Sequence, residues 1–232
     1  MTTQNVSATV GTMRMSKIFA GTITDGVWTN IQDTISSTNL GILIPSAPIN
    51  FVQAEYAGGL AAWRIQNAQT LQVSRRGWAA KEDYSCFEST RIPTYPVGAD
   101  DMIQMYALPV DATANQTNAL AWIHTTKGTE LYKAQDIPDS TGTALKTALQ
   151  DQTLGDAAFN SVLTGFSICL EDGASLDKVE LIDSSGGVQF TFQGNFRMPS
   201  QGGTSAYYNF SAEKLQLPIT KGYTMKIYTV SA

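Results

Sequence analysis

Residues Thr164–Phe196 read TGFSICLEDGASLDKVELIDSSGGVQFTFQGNF, and this stretch decides the fold. Apolar and polar residues alternate along it in three runs, which Glu171-Asp172-Gly173 and Ser184-Ser185-Gly186-Gly187 separate. Side chains two residues apart lie on the same face of a strand, so the pattern predicts a half-buried antiparallel meander of three strands joined by tight turns. The apolar residues assigned to the buried face are Phe166, Ile168, Leu170, Val179, Leu181, Val188, Phe190 and Phe192.

The composition indicates one large all-β domain with an unusually neutral surface. The length of 232 residues falls in the range of about 200–250 residues that single β-sandwiches and barrels reach. Hydrophobic residues make up 43% of the chain, but charged residues make up only 15%, against a typical share of about 25%. Because interface cores are depleted in charge, such a surface suits packing against copies of the same protein.

Charge, cysteine content and hydropathy argue against several classes of protein. The net charge of −5 disfavours broad nucleic-acid binding, which needs a basic face, and disfavours an anionic membrane surface. Cys86 and Cys169 are too few for a disulfide framework, so we expect two buried reduced thiols. We expect neither a membrane span nor a signal peptide, because no apolar run approaches about 18 residues and the start lacks an apolar core.

The segments around the meander predict further short strands. Asp25-Gly26 separates two strand-like runs and predicts a hairpin with a type I′ turn. Alanine and leucine residues at helical spacing predict a short helix over 140–150, and a second helical turn is expected over 153–160. The predicted fold class is therefore all-β, an antiparallel β-sandwich of the jelly-roll type with one or two short helical inserts.

The domain organisation is predicted from polarity. Met1–Met15 is polar, Thr-rich and nearly uncharged, without a clear period, and is predicted to be an extended N-terminal arm that orders only against a partner. Residues 16–232 are predicted to form a single β-sandwich domain. The polar loop Asp111–Asn118 is the one candidate boundary within it.

Candidate catalytic and metal-binding residues are few. His124 is the only histidine, and it has no partner at metal-ligand spacing. Glu171, Asp172, Asp177 and Asp183 cluster within the meander, and calcium sites do use several oxygen ligands from one loop. The EF-hand spacing is absent, however, and turn formation explains these acids. We therefore expect no enzymatic activity, no catalytic residue, no metal site and no cofactor.

One basic and aromatic patch stands out in the sequence. It consists of Arg75-Arg76-Gly77-Trp78, with Trp63 and Arg64 nearby along the chain. Grooves for single-stranded nucleic acid combine such residues, but three arginines in an acidic chain are too few. Arginine and tryptophan are enriched in interface hot spots, so we favour inter-subunit pairing and expect no sequence-specific nucleic-acid binding.

The many short strands, the uncharged arm at Met1–Met15 and the closing strand pair at 214–219 (KLQLPI) and 223–230 (YTMKIYTV) resemble viral single-jelly-roll capsid proteins. The resemblance implies trimeric or pseudo-hexameric capsomers, arm exchange between neighbours and no catalysis. The implied partners are copies of the same chain, with a second coat protein and an internal viral membrane as further candidates. The implied location is the virion, after synthesis in the host cytoplasm.

The sequence therefore favours a virion structural protein, a capsid subunit that self-assembles through a low-charge surface and its N-terminal arm. The alternative is a carbohydrate- or receptor-binding β-sandwich module of a phage appendage. Its mark would be a cluster of exposed aromatic side chains, for which the candidates are Trp28, Trp63, Trp78 and Tyr95. An enzyme on a jelly-roll fold, such as a cupin, is disfavoured because one histidine is too few for its metal site.

Overall fold

A computed structural model describes residues 3–11, 16–56, 58–79, 86–87, 95–147, 160–171, 173–197 and 209–231. The chain is almost entirely β-structure in antiparallel sheets, which confirms the predicted fold class and is consistent with a β-sandwich of the jelly-roll type. Contacts divide it into two compact units, Met1–Pro109 and Val110–Ala232, at the edge of the polar loop Asp111–Asn118. Whether the two units fold as the single domain expected over 16–232 stays a prediction.

The first unit contains one large sheet. Its elements are β1 (Thr3–Gly11), β2 (Ser16–Thr24), β3 (Thr29–Asp33), α1 (Leu40–Leu43), β4 (Pro48–Ile49), β5 (Phe51–Tyr56), β6 (Gly59–Asn67), β7 (Val73–Ala79), β8 (Cys86–Phe87), β9 (Tyr95–Pro96) and β10 (Asp101–Pro109). Eight strands are ordered β7-β6-β10-β3-β2-β1-β5-β8, and β4 pairs with β9. Alternate residues of the large sheet, such as Phe19, Trp63 and Ile103, form one buried core.

Strand β1 corrects the prediction of an N-terminal arm. Residues 3–11 pair along their full length with β2, and residues 6–11 pair with β5 on the other side. Val6, Ala8 and Val10 alternate along β1 and are buried in the core of the unit. This period of two is present in the sequence, but the surrounding Thr, Ser and Asn residues obscure it. In the described residues the segment completes the sheet of its own chain, which removes the reason for expecting an exchanged arm.

The predicted hairpin at Asp25-Gly26 is confirmed, but its turn type is wrong. β2 pairs with β3, and the backbone N–H of Val27 donates to the carbonyl of Thr24 across 3.2 Å. A type I′ turn needs positive φ at both central residues. Gly26 has a φ of 76°, but Asp25 does not have positive φ, so only the glycine takes the left-handed conformation.

The second unit contains two sheets around its own core. Its strands are β11 (Gln116–Thr125), β12 (Gly128–Pro138), β13 (Thr143–Ala144), β14 (Lys146–Thr147), β15 (Ser161–Leu170), β16 (Ser175–Ile182), β17 (Val188–Arg197), β18 (Asn209–Ala212), β19 (Leu217–Ile219) and β20 (Thr224–Val230). One sheet is ordered β14-β12-β11-β15-β18, with β19 also on β15, and the other is ordered β13-β20-β16-β17. Both sheets contribute to a single buried cluster.

The predicted meander is three strands, as expected, but it is divided between the two sheets. β15 pairs with β11, β18 and β19, whereas β16 pairs with β17 and β20, so only the second turn makes a hairpin. A period of two assigns faces but does not name the neighbouring strand. β15 is also buried on both faces, since Ser167 and Cys169 are buried as well as Phe166, while Val188 on β17 is 52% exposed.

The helix predicted over 140–150 is wrong for the residues that the structure describes. Residues 143–144 and 146–147 form β13 and β14, which pair with β20 and β12, and Leu145 between them is buried. Ala144 and Leu145, two of the apolar residues at helical spacing, lie on and between paired strands instead. Tertiary pairing here overrides the local helical propensity. The only helix in the described ranges is α1, and residues 148–159, including most of the second predicted helical turn, lie outside them.

Candidate functional site

His124 forms a hydrogen bond within its own sheet. It lies on β11 and is half-buried, and its Nδ1 is 2.9 Å from Oγ1 of Thr129 on the neighbouring strand β12. Within the described ranges, no group of three or more His, Cys, Asp or Glu side chains could hold a metal ion. Cys169 is buried, and the side chain of Cys86 lies outside the described residues.

The acidic residues of the meander do not act as one cluster. Asp183 closes a turn: its carboxylate accepts from the Ser185 and Gly187 backbone N–H groups and from the Ser185 hydroxyl, at 2.6–2.9 Å. These hydrogen bonds hold the pKa of Asp183 below its usual value, with that from the Ser185 hydroxyl contributing most. Asp172 lies outside the described residues. Asp183 is thus a turn-forming acid, as the sequence indicates.

Glu171, which the sequence assigns to turn formation, is a buried carboxyl. It is 7% exposed, and its oxygens accept from the Asp111 backbone N–H at 2.8 Å, from the Thr117 hydroxyl at 3.2 Å and from the Asn118 backbone N–H. Burial raises the pKa of Glu171 to about 7, because the desolvation of the carboxylate outweighs these three hydrogen bonds. Glu171 therefore anchors the start of β11 to the end of β15.

The aromatic residues proposed for sugar binding do not form an exposed cluster in the described part of the chain. Trp63 and Trp78 are buried, at 1% and 5% exposure, and the side chain of Tyr95 lies outside the described residues. Trp63 packs against Gly77, where an added Cβ would lie only 2.7 Å from the indole nitrogen. Trp28 is half-buried and lies in the cluster around Arg64.

Arg64 is the centre of a polar row on one face of the first unit's sheet. Its Nε donates to Oε1 of Gln104 at 2.7 Å and its Nη2 donates to Oε1 of Gln66 at 3.0 Å. Gln104 in turn donates to Oδ1 of Asn30 at 2.7 Å. The guanidinium lies 4.0 Å from the centre of the Trp28 ring. Burial lowers the pKa of Arg64 to about 10, so the side chain stays charged at neutral pH.

Four aliphatic side chains are exposed at one end of the first unit, and together we name them the apolar end. They are Ile18, Ile35, Ile42 and Leu71, which are 52%, 86%, 66% and 68% exposed. Exposed apolar patches commonly mark interaction sites. No local sequence pattern indicates this group, because its members are separated along the chain, although Ile35 and Leu71 are aliphatic residues in otherwise polar turns.

The register of the sheet places these residues together. Asp33 on β3 pairs with Phe19 on β2, and Asp101 on β10 pairs with Asn67 on β6. The last residues of β3 and β6 and the first residues of β2 and β10 therefore lie at the same end of the sheet. Neighbouring strands are about 4.8 Å apart, so the three spacings from β6 to β2 correspond to about 15 Å. Ile18 belongs to β2, Ile35 follows β3 and Leu71 follows β6.

Helix α1 carries Ile42 to the same end of the unit. Gly41 in this helix lies against the carbonyl oxygens of Gly98 and Ala99, which lie three and two residues before the start of β10, and an added Cβ would come within 2.3 Å of them. This close approach requires glycine. Leu40 and Ile44 are buried under the helix, whereas Ile42 points away from the core.

Buried carboxylates and amides hold the turns that present the apolar end. Asp33 is 3% exposed and accepts from the Ile35 and Ser36 backbone N–H groups, at 3.2 and 2.7 Å, and from the Ser36 hydroxyl at 2.7 Å. These bonds lower the pKa of Asp33, that from the Ser36 hydroxyl most. Asn67 accepts from the backbone N–H of Thr70 at 3.0 Å and donates to Asp101 at 3.0 Å.

Leu71 has a strained backbone for an apolar residue. Its φ is 59°, in the left-handed region that bulky residues rarely occupy. Its N–H donates to the carbonyl of Asn67 at 2.9 Å, and its own carbonyl accepts from Nε2 of Gln66 at 2.9 Å. Since Gln66 also contacts Arg64, the polar row on the sheet is connected to this exposed tip. Such strain is concentrated at functional positions.

Comparison with known proteins gives no relative for this chain. No protein-family model, no curated protein and no solved structure matches it. The described residues include no helix with the length and hydrophobicity that crossing a bilayer requires. The function is therefore inferred from the chain's own surfaces.

Proposed function

We propose that this protein is a structural subunit that assembles with copies of itself, as viral jelly-roll coat proteins do, and that the apolar end is the contact between copies. The single observation that carries the proposal is the exposure of Ile18, Ile35, Ile42 and Leu71 at one end of the first unit's sheet. The N-terminal segment has no part in it, because β1 is paired within its own sheet.

The segments that carry Ile35, Ile42 and Leu71 are uncharged, although Lys17 adjoins Ile18, and this favours a second copy as the partner. The segments 34–54 and 65–74, which include Ile35, Ile42 and Leu71, contain no Asp, Glu, Lys or Arg. A two-fold axis brings a patch against itself, so a charged patch would repel its copy and a neutral one does not. Neutral polar residues such as Ser36 and Thr70 surround the apolar side chains, which matches the usual arrangement of an apolar centre and a polar rim.

Sedimentation velocity and negative-stain electron microscopy test the proposal. We expect the wild-type protein to form oligomers at micromolar concentration, and we expect the double variant Ile35→Ser/Leu71→Ser to shift the population to monomer. Both residues are exposed, so the variant is expected to keep its fold and its circular dichroism spectrum.

Val27→Ser is the matched control. Val27 is 48% exposed but precedes β3, at the end of that strand opposite to Ile35, so this variant should assemble as the wild type does. A wild-type protein that remains strictly monomeric at high concentration, with no partner subunit in its source, would exclude the proposal. Equal loss of assembly in both variants would exclude the apolar end as the contact.

A further inference from the structure

The positive charge of Arg64 has no counter-charge within the described residues. Its hydrogen bonds there are with the amide oxygens of Gln104 and Gln66, and its remaining contact is with the Trp28 ring. A guanidinium has five N–H donors, of which these bonds use two. Charges removed from water are normally paired. Within the part of the chain that the structure describes, Arg64 therefore retains unused donors and an uncompensated charge.

The rest of this sheet face supplies more donors and more positive charge. Arg76 on β7 lies directly opposite Arg64 in the register, so both side chains are on the same face, where like charges repel. Tyr106 on β10 is a diagonal neighbour of Arg64 on this face. Its hydroxyl is buried and has no hydrogen-bond partner among the described residues. Among the described residues, Arg64 and Tyr106 thus leave donors on this face that an acceptor could use.

The same face is open to solvent on one side. Asn30 and Gln32 on β3 are exposed, and Gln66 and Met102 are half-buried. Asn30 and Gln104 are partners in the same hydrogen-bonded row as Arg64. A small acidic group can therefore approach Arg64 along β3 without displacing the buried core.

We propose that Arg64 is the centre of a carboxylate-binding site, with its unused N–H donors as the ligands of the two carboxylate oxygens. Gln104 and Gln66 hold the guanidinium plane from one side and Trp28 covers its face, so the group is fixed before the ligand arrives. A planar fork of donors matches a planar carboxylate. The carboxylate comes either from a small organic acid in solution or from an Asp or Glu side chain of a second copy of the chain.

Lys178 provides the matched control within the same molecule. It lies in the second unit, 4.3 Å from the centre of the Tyr228 ring, as Arg64 lies over Trp28. Its Nζ, however, already contacts Oε1 of Glu180 at 2.5 Å. Because Lys178 already has Glu180 as its carboxylate partner, it should not bind a second carboxylate.

The first experiment titrates the protein with sodium glutarate, with sodium chloride at equal ionic strength as the reference, and follows the melting temperature and the NMR signal of the Arg64 Nε–H group. We expect a saturable response in the wild type and in Lys178→Gln. We expect Arg64→Gln to weaken it about tenfold or more, because charge-assisted hydrogen bonds are roughly twice as strong as neutral ones. Arg64→Lys keeps the charge but loses the fork, and should give an intermediate response.

The second experiment distinguishes the source of the carboxylate. One outcome is that glutarate has no effect on the wild type while the Arg64→Gln protein sediments more slowly than the wild-type oligomer and the Lys178→Gln protein does not. In that case the carboxylate that Arg64 binds is a side chain of a second copy. If neither glutarate nor oligomer formation depends on Arg64, the proposal is wrong. If Arg64→Gln does not fold, the same comparisons are made with Arg64→Lys. If the Ile35→Ser/Leu71→Ser variant assembles as the wild type does, the proposal for the apolar end fails, but the glutarate titration still tests Arg64 independently.

Discussion

Asp33 in the first unit and Glu171 in the second anchor loops in similar ways, but their environments shift their pKa values in opposite directions. Both are buried and both accept backbone N–H and hydroxyl hydrogen bonds. The pKa of Asp33 is lowered because its bonds with Ser36 outweigh desolvation, whereas burial raises the pKa of Glu171 to about 7. Each carboxyl accepts three hydrogen bonds, so the balance between those bonds and desolvation, and not the number of bonds, decides the direction of the pKa shift.

The largest effect is expected on removing the Glu171 carboxyl. Glu171→Ala leaves three donors without their acceptor, from Asp111, Thr117 and Asn118. We expect a loss of roughly 4 kcal/mol in the free energy of unfolding, since each unsatisfied buried donor costs about 1–3 kcal/mol and water can satisfy some of them. Urea unfolding at pH 5 measures the loss.

Glu171→Gln is the control for this change, because its carbonyl oxygen can still accept a hydrogen bond. We expect it to lose less than half as much stability as Glu171→Ala at pH 5. A Glu171→Ala protein that is as stable as the wild type would show that these hydrogen bonds do not anchor β11.

A smaller effect is expected from pH. A carboxyl with a raised pKa binds its proton more tightly in the folded state, so it favours folding at low pH. That contribution is fully present below a pH of about 4.5 and is lost as the pH rises through about 7, the raised pKa of Glu171. The difference between the two pKa values corresponds to about 3 kcal/mol.

Unfolding of the wild type and of Glu171→Gln at pH 5 and pH 8 measures this contribution. The wild type should lose more stability than the variant between these two values, because glutamine does not titrate. Parallel profiles for the two proteins would mean that Glu171 is ionised throughout, and the contrast with Asp33 would disappear.

The smallest effect is expected at Asp33, with the opposite sign. Its lowered pKa means that the ionised form stabilises the fold above a pH of about 3.8, and that this stability is lost as the pH falls through the lowered pKa. Asp33→Asn should lower the melting temperature at pH 7 and approach the wild type at pH 3. The loss is small because the side-chain oxygen of asparagine can still accept some of these hydrogen bonds.

Asp33→Asn also sharpens the proposal for the apolar end. Asp33 holds the turn that carries Ile35, so the variant should assemble less well than the wild type even where it remains folded. Ser36→Ala removes the hydroxyl partner of Asp33 but leaves its backbone bonds, and should have an effect in the same direction but smaller. Unchanged assembly in Asp33→Asn would mean that Ile35 does not need a fixed turn.

The sequence predicted the positions of the strands better than it predicted which strands pair with each other. The alternation in Thr164–Phe196 located β15, β16 and β17, but it could not show that β15 and β16 belong to different sheets. β1 was missed because Val6, Ala8 and Val10 are interleaved with residues that also occur in disordered arms. The pairing partners that decide both cases lie far away along the chain.

The candidate sites were less predictable than the fold. Arg64 and Trp28 were both noted, but only the register of β3, β6 and β10 places them in one cluster. Glu171 was interpreted as a turn residue, because an acid beside glycine gives no sign of burial in the sequence. The apolar end is assembled from four separate segments, so no local pattern could have indicated it.

The internal position of β1 has a consequence for how this protein is made. β1 is synthesised before both of its neighbours, and the second of them, β5, does not appear until residues 51–56 are synthesised. Until then the β1–β2 ribbon exposes an unpaired edge, which other nascent chains can join. Shortened versions that begin after residue 11 would lack an interior strand altogether, so affinity tags are better placed ahead of residue 1 than in place of these residues.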